Sequence, residues 1–441
     1  MKYKISGLLV SSLLSLSVVY SQERKTLTLT EAIELSIKNS HLLKSSQAKI
    51  EEAIAVVKEA KEKKLPNANV SASYLRLNSA NIDLKTKSNN GGTTSEAPKI
   101  SQAMYGLLNA SLPVYAGGRI QYGIESSHFL EQAAKLDAED DKDEVIQNTI
   151  EAFANLFKAE TAVKLVKENL LQSQQRSKDF DNLEKNGLLA RNDLLKTELQ
   201  SSNVELNLLD AENNRELANV NMNLMLGLPA ATELVLDTTG IERKDDSRVL
   251  EDYLRVAASN RKDIAALDLR KKAAETGVKS VKGEMYPAIQ LTGGYIAADI
   301  PHLLTVTNAV NIGVGVSYNL ASLWKTKARQ QQADAKVKQA IATEAMLSDN
   351  IRLQVNKSYL SLTSNRKKIE VYAKAFSQSQ ENYRIVKNKF DNSLATATDL
   401  LEADVAQLQA RLSYTLSRAD AFVAYHKLLQ TAGILSTDLK K

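Results

Sequence analysis

A chain of 441 residues has room for two or three ordinary domains, yet only 17 Gly and 6 Pro interrupt it, which implies long unbroken elements. The absence of Cys excludes a disulfide framework, a Cys-based metal site and a lipidated N-terminal cysteine. A formal net charge of +5 is small for this length and argues against a nucleic-acid partner.

The chain opens with Lys2 and Lys4 followed by an apolar run at residues 5–20, the pattern of a secretory signal with cleavage expected after Ser21. Residues 1–21 are therefore assigned to a signal peptide, since the run falls short of the roughly 18–20 apolar residues of a membrane anchor. An opening helix is expected over residues 30–64, stopped by Pro66. Val70, Ala72 and Tyr74 then alternate with small polar residues, as do Leu108, Ala110 and Leu112, and predict two strands of roughly 9–11 residues. Between them lies a polar loop at residues 79–103 with Asn89-Asn90-Gly91-Gly92 at its tip. From Arg119 to Glu184 no Pro occurs and the only Gly is Gly123, so one helix of roughly 100 Å is expected. A turn at residues 185–192 and a further helix follow.

The same order then returns. Residues 31–39 (EAIELSIKN) resemble residues 252–260 (DYLRVAASN), and Leu65-Pro66 resembles Tyr286-Pro287, with a shared offset of 221. Arg119 matches Lys325, NGLLARNDLL at 186–195 matches NSLATATDLL at 392–401, and Gly227 matches Gly433, with an offset of 206. The halves, 22–240 and 241–441, are therefore read as a duplicated helix-strand-strand-long helix-helix unit, with 15 extra residues in the first loop.

In the second half a helix is expected over residues 249–285. Strands are expected around Ile289, Leu291 and Tyr295 and over residues 311–319, joined by a polar loop at 298–308. In the last strand Ile312, Val314, Val316 and Tyr318 alternate with small or polar residues and form a candidate lipid-facing stripe. The long helix at 325–390 repeats Val355, Leu362, Ile369, Phe376, Tyr383 and Phe390 every seventh position, a coiled-coil seam, with Leu156, Val163 and Leu170 as first-half counterparts. Four strands cannot close a barrel, and open edges are not tolerated in lipid, so strands that span a membrane require copies of the chain to assemble. Eight strands would nearly fill their interior, whereas twelve leave a lumen.

With its duplicated layout, LTLTEAIELSIKNS at 27–40, the two turn motifs and LMLGLP at 224–229, the chain resembles TolC-like outer-membrane efflux proteins over residues 28–435. The resemblance implies a mainly α fold with a membrane β-barrel portion: a homotrimer whose twelve-stranded barrel in the outer membrane continues as a long periplasmic α-helical barrel. It implies a passive channel that works with an inner-membrane pump and a periplasmic adaptor, needs no cofactor and catalyses nothing. It further implies that Asp399 and Glu402, three apart on one helix face, line the pore entrance and favour cations, where like charges would raise their pKa values. A helix-capping role for Asp399 is the plainer reading of the same position. Asn192 and Asp193 stand at the positions of the family's closing links, but Phe390 and Ala395 replace the expected Tyr and Arg. Closure would then fall to Arg191 or to packing. The turn at 392–398, with that at 185–192, would meet the adaptor.

His41, His128, His302 and His426 show no metal-ligand spacing, and no phosphate-cradling Gly-rich loop occurs, so neither an enzyme nor a resident metal is expected. A helix-borne His is expected at the surface. The competing reading is a secreted coiled-coil structural or adaptor protein without a pore, which accounts for the helices but not for paired alternating strands in both halves.

Overall fold

The computed structural model describes residues 24–80, 100–237, 248–301 and 303–438. The expected signal peptide, His302 and most of the first loop, at 81–99, lie outside the described residues. In chain order the elements are β1 (Arg24–Leu27), α1 (Leu29–Asn39), α2 (His41–Glu62), β2 (Asn67–Ala80), β3 (Ile100–Ala116), α3 (Arg119–Lys185), α4 (Arg191–Leu226) and β4 (Glu233–Leu236). There follow α5 (Leu250–Asn260), α6 (Lys262–Lys282), a 3-10 turn at Gly283–Met285, β5 (Ala288–Ile300), β6 (Leu304–Ser317), α7 (Ser322–Asp391), α8 (Ala397–Thr431) and α9 (Leu435–Asp438). The chain forms two compact units. One comprises Met1–Ser40, Val145–Ser247 and Ser358–Leu428, the other His41–Glu144, Arg248–Lys357 and Leu429–Lys441.

In place of the single opening helix expected in each half, each is broken, at Ser40 (φ −55°, ψ 122°) and at Arg261 (φ −64°, ψ 123°). These breaks fall at equivalent positions, 221 apart. The first is held from both sides. Thr28 caps α1 by accepting from the Glu31 amide at 3.2 Å, and Asn39 donates its side-chain amide to the Leu226 carbonyl at 2.5 Å. That bond ties the end of α1 to the end of α4, where Gly227 adopts φ +70° and leaves no room for a Cβ beside Asn39. At the second break Arg261 hydrogen-bonds Asp263, Gln354 and the Thr431 carbonyl, fixing the start of α6. A short parallel pair, β1 on β4, escaped the sequence reading because four-residue strands carry too few alternations. Leu27 and Leu234 on these strands are fully buried.

In the second unit β2-β3-β5-β6 form one antiparallel sheet. The strands have 14, 17, 13 and 14 residues, longer than expected. Most of the polar loop expected at 298–308 is in fact strand, because the chain turns back between Ile300 and Leu304. Cross-strand register separates the two faces. One rung joins Val70, Leu108, Tyr295 and Val310, whereas the next joins Asn69, Asn109, Gly294 and Asn311. Partners across a rung share a face and neighbouring rungs point oppositely, so one face is apolar and the other polar. On the apolar face Ile312 is 89% exposed and Val70 78%, values that a sheet packed on a soluble core would not show. Among the described residues β2 and β6 have one neighbour each, so the sheet is open and no closed barrel is formed within the chain.

The long helices have 67 and 70 residues, close to the expected bounds. The seam of α7 is real: Val355 and Leu362 are buried, and Ile369, Phe376, Tyr383 and Phe390 are half-buried. His426 departs from the expectation of a surface histidine. It is 3% exposed, with Nδ1 2.9 Å from the Phe422 carbonyl oxygen.

Candidate functional site

The two hairpin tips, α3–α4 and α7–α8, hold the charged candidates, and a small apolar cluster holds the tips together. Phe180, Leu194, Ala397 and Leu400 are buried there, with Leu183, Leu189, Tyr383, Val386 and Phe390 packed around them. Phe390 stacks on Phe180 at 5.2 Å between ring centroids. The ring therefore packs within the protomer's own tip and forms no polar link. Each tip turns through one left-handed residue, Gly187 (φ +71°) and Ser393 (φ +58°). The Leu188 amide returns to the Leu183 carbonyl at 2.9 Å and the Leu394 amide to the Lys389 carbonyl at 2.7 Å, the closing bonds of a Schellman turn.

Asp399 and Glu402 are both exposed, one turn apart on the first turns of α8. Asp399 Oδ2 accepts from the Thr396 amide at 2.8 Å and from the Thr396 hydroxyl at 2.7 Å, and the Thr396 hydroxyl oxygen accepts from the Asp399 amide at 3.1 Å. This reciprocal cap holds the helix start. The Thr396 hydroxyl, then its amide, hold the Asp399 carboxyl below its usual range, opposite in sense to the rise expected from crowded carboxylates. Asp399 thus caps a helix and still presents a charge to solvent.

Among the closing-link positions, Asn192 is exposed, Arg191 lies 3.9 Å from Glu184, and Asp193 lies 3.5 Å from the Lys196 ammonium. Lys196, which sequence reasoning overlooked, also donates to the Thr398 hydroxyl at 3.2 Å and so connects the two tips. A second overlooked feature lies deeper in the same unit. Arg176 on α3 forms a two-pronged pair with Asp404 on α8, at 3.0 and 3.1 Å. Asn169 donates to Asp404 at 3.3 Å, and the Tyr383 hydroxyl stands 3.5 Å from the guanidinium. Burial works against the charge on Arg176, but the hydrogen bond and charge of Asp404 outweigh it and raise its pKa. Asn169, Ser173, Arg176 and Phe180 recur at four, three and four residues, the spacing of a buried helix stripe, so the sequence did carry a signal of polar groups in the seam.

Ile312, Val314 and Val316 lie on the apolar sheet face at 89%, 67% and 69% exposure, with Tyr318 just beyond the strand at 41%.

Comparison with known proteins agrees with this arrangement. No curated protein sequence matches the chain. Among solved structures it is similar to the outer membrane protein VceC from Vibrio cholerae, at 19% identity and a TM-score of 0.75 over 92% of this chain and 96% of that one. The CmeC outer membrane channel of Campylobacter jejuni matches at 18% identity and a TM-score of 0.75, over 93% and 88%. The open-state MtrE outer membrane channel of Neisseria gonorrhoeae matches at 17% and 0.72, over 92% and 89%. At these identities the likeness is one of fold. The model of one family, outer membrane efflux protein, matches twice along the chain, over residues 32–228 and 253–433, and the chain belongs to that family.

Proposed function

We infer that the protein is the outer-membrane channel of a tripartite efflux system, and that it assembles as a homotrimer whose sheets close a twelve-stranded barrel. The observation that carries this reading is an amphipathic four-stranded sheet, with an exposed apolar face and, among the described residues, two unpaired edges, joined directly to helices of 67 and 70 residues. In lipid, β6 of one copy must pair with β2 of the next, and a third copy gives twelve strands and a lumen lined by the Asn69, Asn109 and Asn311 face. Exposed apolar residues along the helices support assembly: Leu199, Leu206, Leu217 and Leu224 on α4 are 60–69% exposed, and Met346, Leu353 and Leu360 on α7 are 66–72% exposed. A coiled-coil rod without a pore leaves the apolar sheet face unexplained.

In this reading the halves 22–240 and 241–441 are the two repeats, preceded by the signal peptide at 1–21. Ile312, Val314, Val316 and Tyr318 face lipid, and Asp399 and Glu402 ring the periplasmic entrance. The tip turns meet a periplasmic adaptor, through which an inner-membrane pump delivers its substrate. Closure rests on packing around Phe390 and on Arg191, Asn192, Asp193 and Lys196. The chain conducts and performs no chemistry of its own. Single-channel recording of the purified chain in planar bilayers tests this. A cation-preferring conductance that Asp399→Ala with Glu402→Ala changes is expected, and a soluble product that is not a trimer would refute the reading.

A further inference from the structure

Four joints connect the sheet to helices in the second unit, and they carry a surface that conduction does not use. Leu65 precedes β2, Tyr115 lies near the end of β3, Tyr286 precedes β5 and Trp324 opens α7, and these side chains are 59%, 45%, 57% and 66% exposed. Around the first turns of α7, Ser322 and Thr326 are buried while Leu323 and Trp324 stand away from the chain's own packing.

The joints are also basic. Lys61 lies in the last turn of α2 and Lys64 just beyond it, Lys282 ends α6, and Lys325 and Lys327 stand one and three residues after Trp324. All five are exposed, and none forms a salt bridge among the described residues. Two of the joints are locked together. Gly117, between β3 and α3, lies so close to Gly283, between α6 and β5, that a Cβ on either would strike the carbonyl oxygen of the other. These two joints therefore pack backbone against backbone.

Aromatic rings backed by lysines at the rim of an apolar sheet face have the composition of a bilayer interface. The rings sit at headgroup depth, the lysine stems lie along apolar surface and the ammonium groups reach phosphate. We propose that this collar binds the headgroups of anionic phospholipids in the leaflet that faces the periplasm. The proposal rests on the reading that the apolar sheet face meets lipid, with which the collar is continuous. Continuity with the exposed apolar sheet face, together with the excess of exposed lysine at the joints, favours this occupant over a second copy of the chain.

Because the chain holds a single Trp, its indole emission reports Trp324 alone. The purified chain would be reconstituted into phosphatidylcholine vesicles containing a minority of phosphatidylglycerol, with brominated acyl chains on one lipid or the other. At equal bromine content, brominated phosphatidylglycerol is expected to quench roughly twofold more than brominated phosphatidylcholine, because basic residues enrich anionic lipid beside them. Replacing Lys61, Lys64, Lys325 and Lys327 together with Gln should abolish that difference while either lipid still quenches. Equal quenching of the wild type by both lipids overturns the proposal. So does the absence of quenching in vesicle-bound protein, which would place Trp324 under another copy. Failure of the chain to float with vesicles, read separately, would overturn the lipid-facing reading itself and the collar with it.

Discussion

Arg176 and Asp404 form a buried two-pronged ion pair, with side chains only 9% and 3% exposed, inside the helical seam of the first unit. Such a pair costs desolvation to bury and is destructive to break singly. Asp404→Ala, which strands the guanidinium, should cost about 3–5 kcal/mol, whereas Arg176→Met combined with Asp404→Leu should recover most of that loss. Urea unfolding of detergent-solubilised protein, followed by circular dichroism, measures both. A double variant as unstable as the single one would show that the pair contributes favourable energy of its own, beyond mutual neutralisation.

The two sheet faces should respond oppositely to charge. Ile312 and Asn311 are neighbours on β6 that point to opposite faces, one among apolar residues and one among asparagines. Ile312→Arg should impair membrane insertion by about 2–4 kcal/mol if the site lies near the bilayer centre. Asn311→Arg should insert normally and instead shift the ion preference of the conductance. The amount of heat-modifiable trimer in isolated outer membranes reports insertion. Equal loss in both variants would contradict the face assignment.

The long helices and the sheet were legible because their signals repeat. The heptad at Val355, Leu362 and Ile369 and the alternation at Ile312, Val314 and Val316 each extend over several periods, so chance matches average out. The breaks at Ser40 and Arg261 were not legible. Neither position carries Pro or Gly, and the extended conformation there is set by partners far away in sequence, Leu226 for the neighbour of Ser40 and Thr431 for Arg261. Around the tips, motif order located Asp399, Glu402 and Asp193. The partners that decide what those groups do, Thr396 and Lys196, are visible only in three dimensions.

Asp140 gives the second unit an acid response. Burial, then the nearby charge of Asp263, raises its carboxyl to about 6, Arg261 opposes them, and Asp143 and Asp141 add to the rise. With the folded value above the ordinary 3.8, the folded state binds the proton more tightly. Stability from this group is therefore fully present below about pH 4 and is lost as pH rises through about 6. Asp140→Asn should stabilise the protein at pH 7.5 by about 1 kcal/mol, after allowance for solvent screening, and flatten its stability between pH 4 and 6. Unfolding midpoints measured across that range decide the matter. A wild type whose midpoint rises from pH 4 to 6 by the amount seen in the variant would show that Asp140 does not titrate there.

Asp399 predicts the opposite behaviour at the proposed entrance. Its carboxyl is held low by the Thr396 hydroxyl and amide, so the charge persists to more acidic pH than in an ordinary aspartate. Thr396→Ala removes the hydroxyl but leaves the backbone amide, and should let Asp399 protonate at higher pH without changing the number of carboxylates. In bilayer recordings with Glu402→Gln as background, cation preference should survive to lower pH when Thr396 is present and fade at higher pH in Thr396→Ala. The stability contributed by the same bonds is present above the unfolded value and lost as pH falls through the lowered folded one, so the cap and the entrance charge should fail together. Repulsion among the aspartates of neighbouring copies acts in the other direction. If cation preference fades at the same pH with and without the Thr396 hydroxyl, repulsion outweighs the cap, and the spacing of the copies, not the local hydrogen bonds, sets the charge at the proposed entrance.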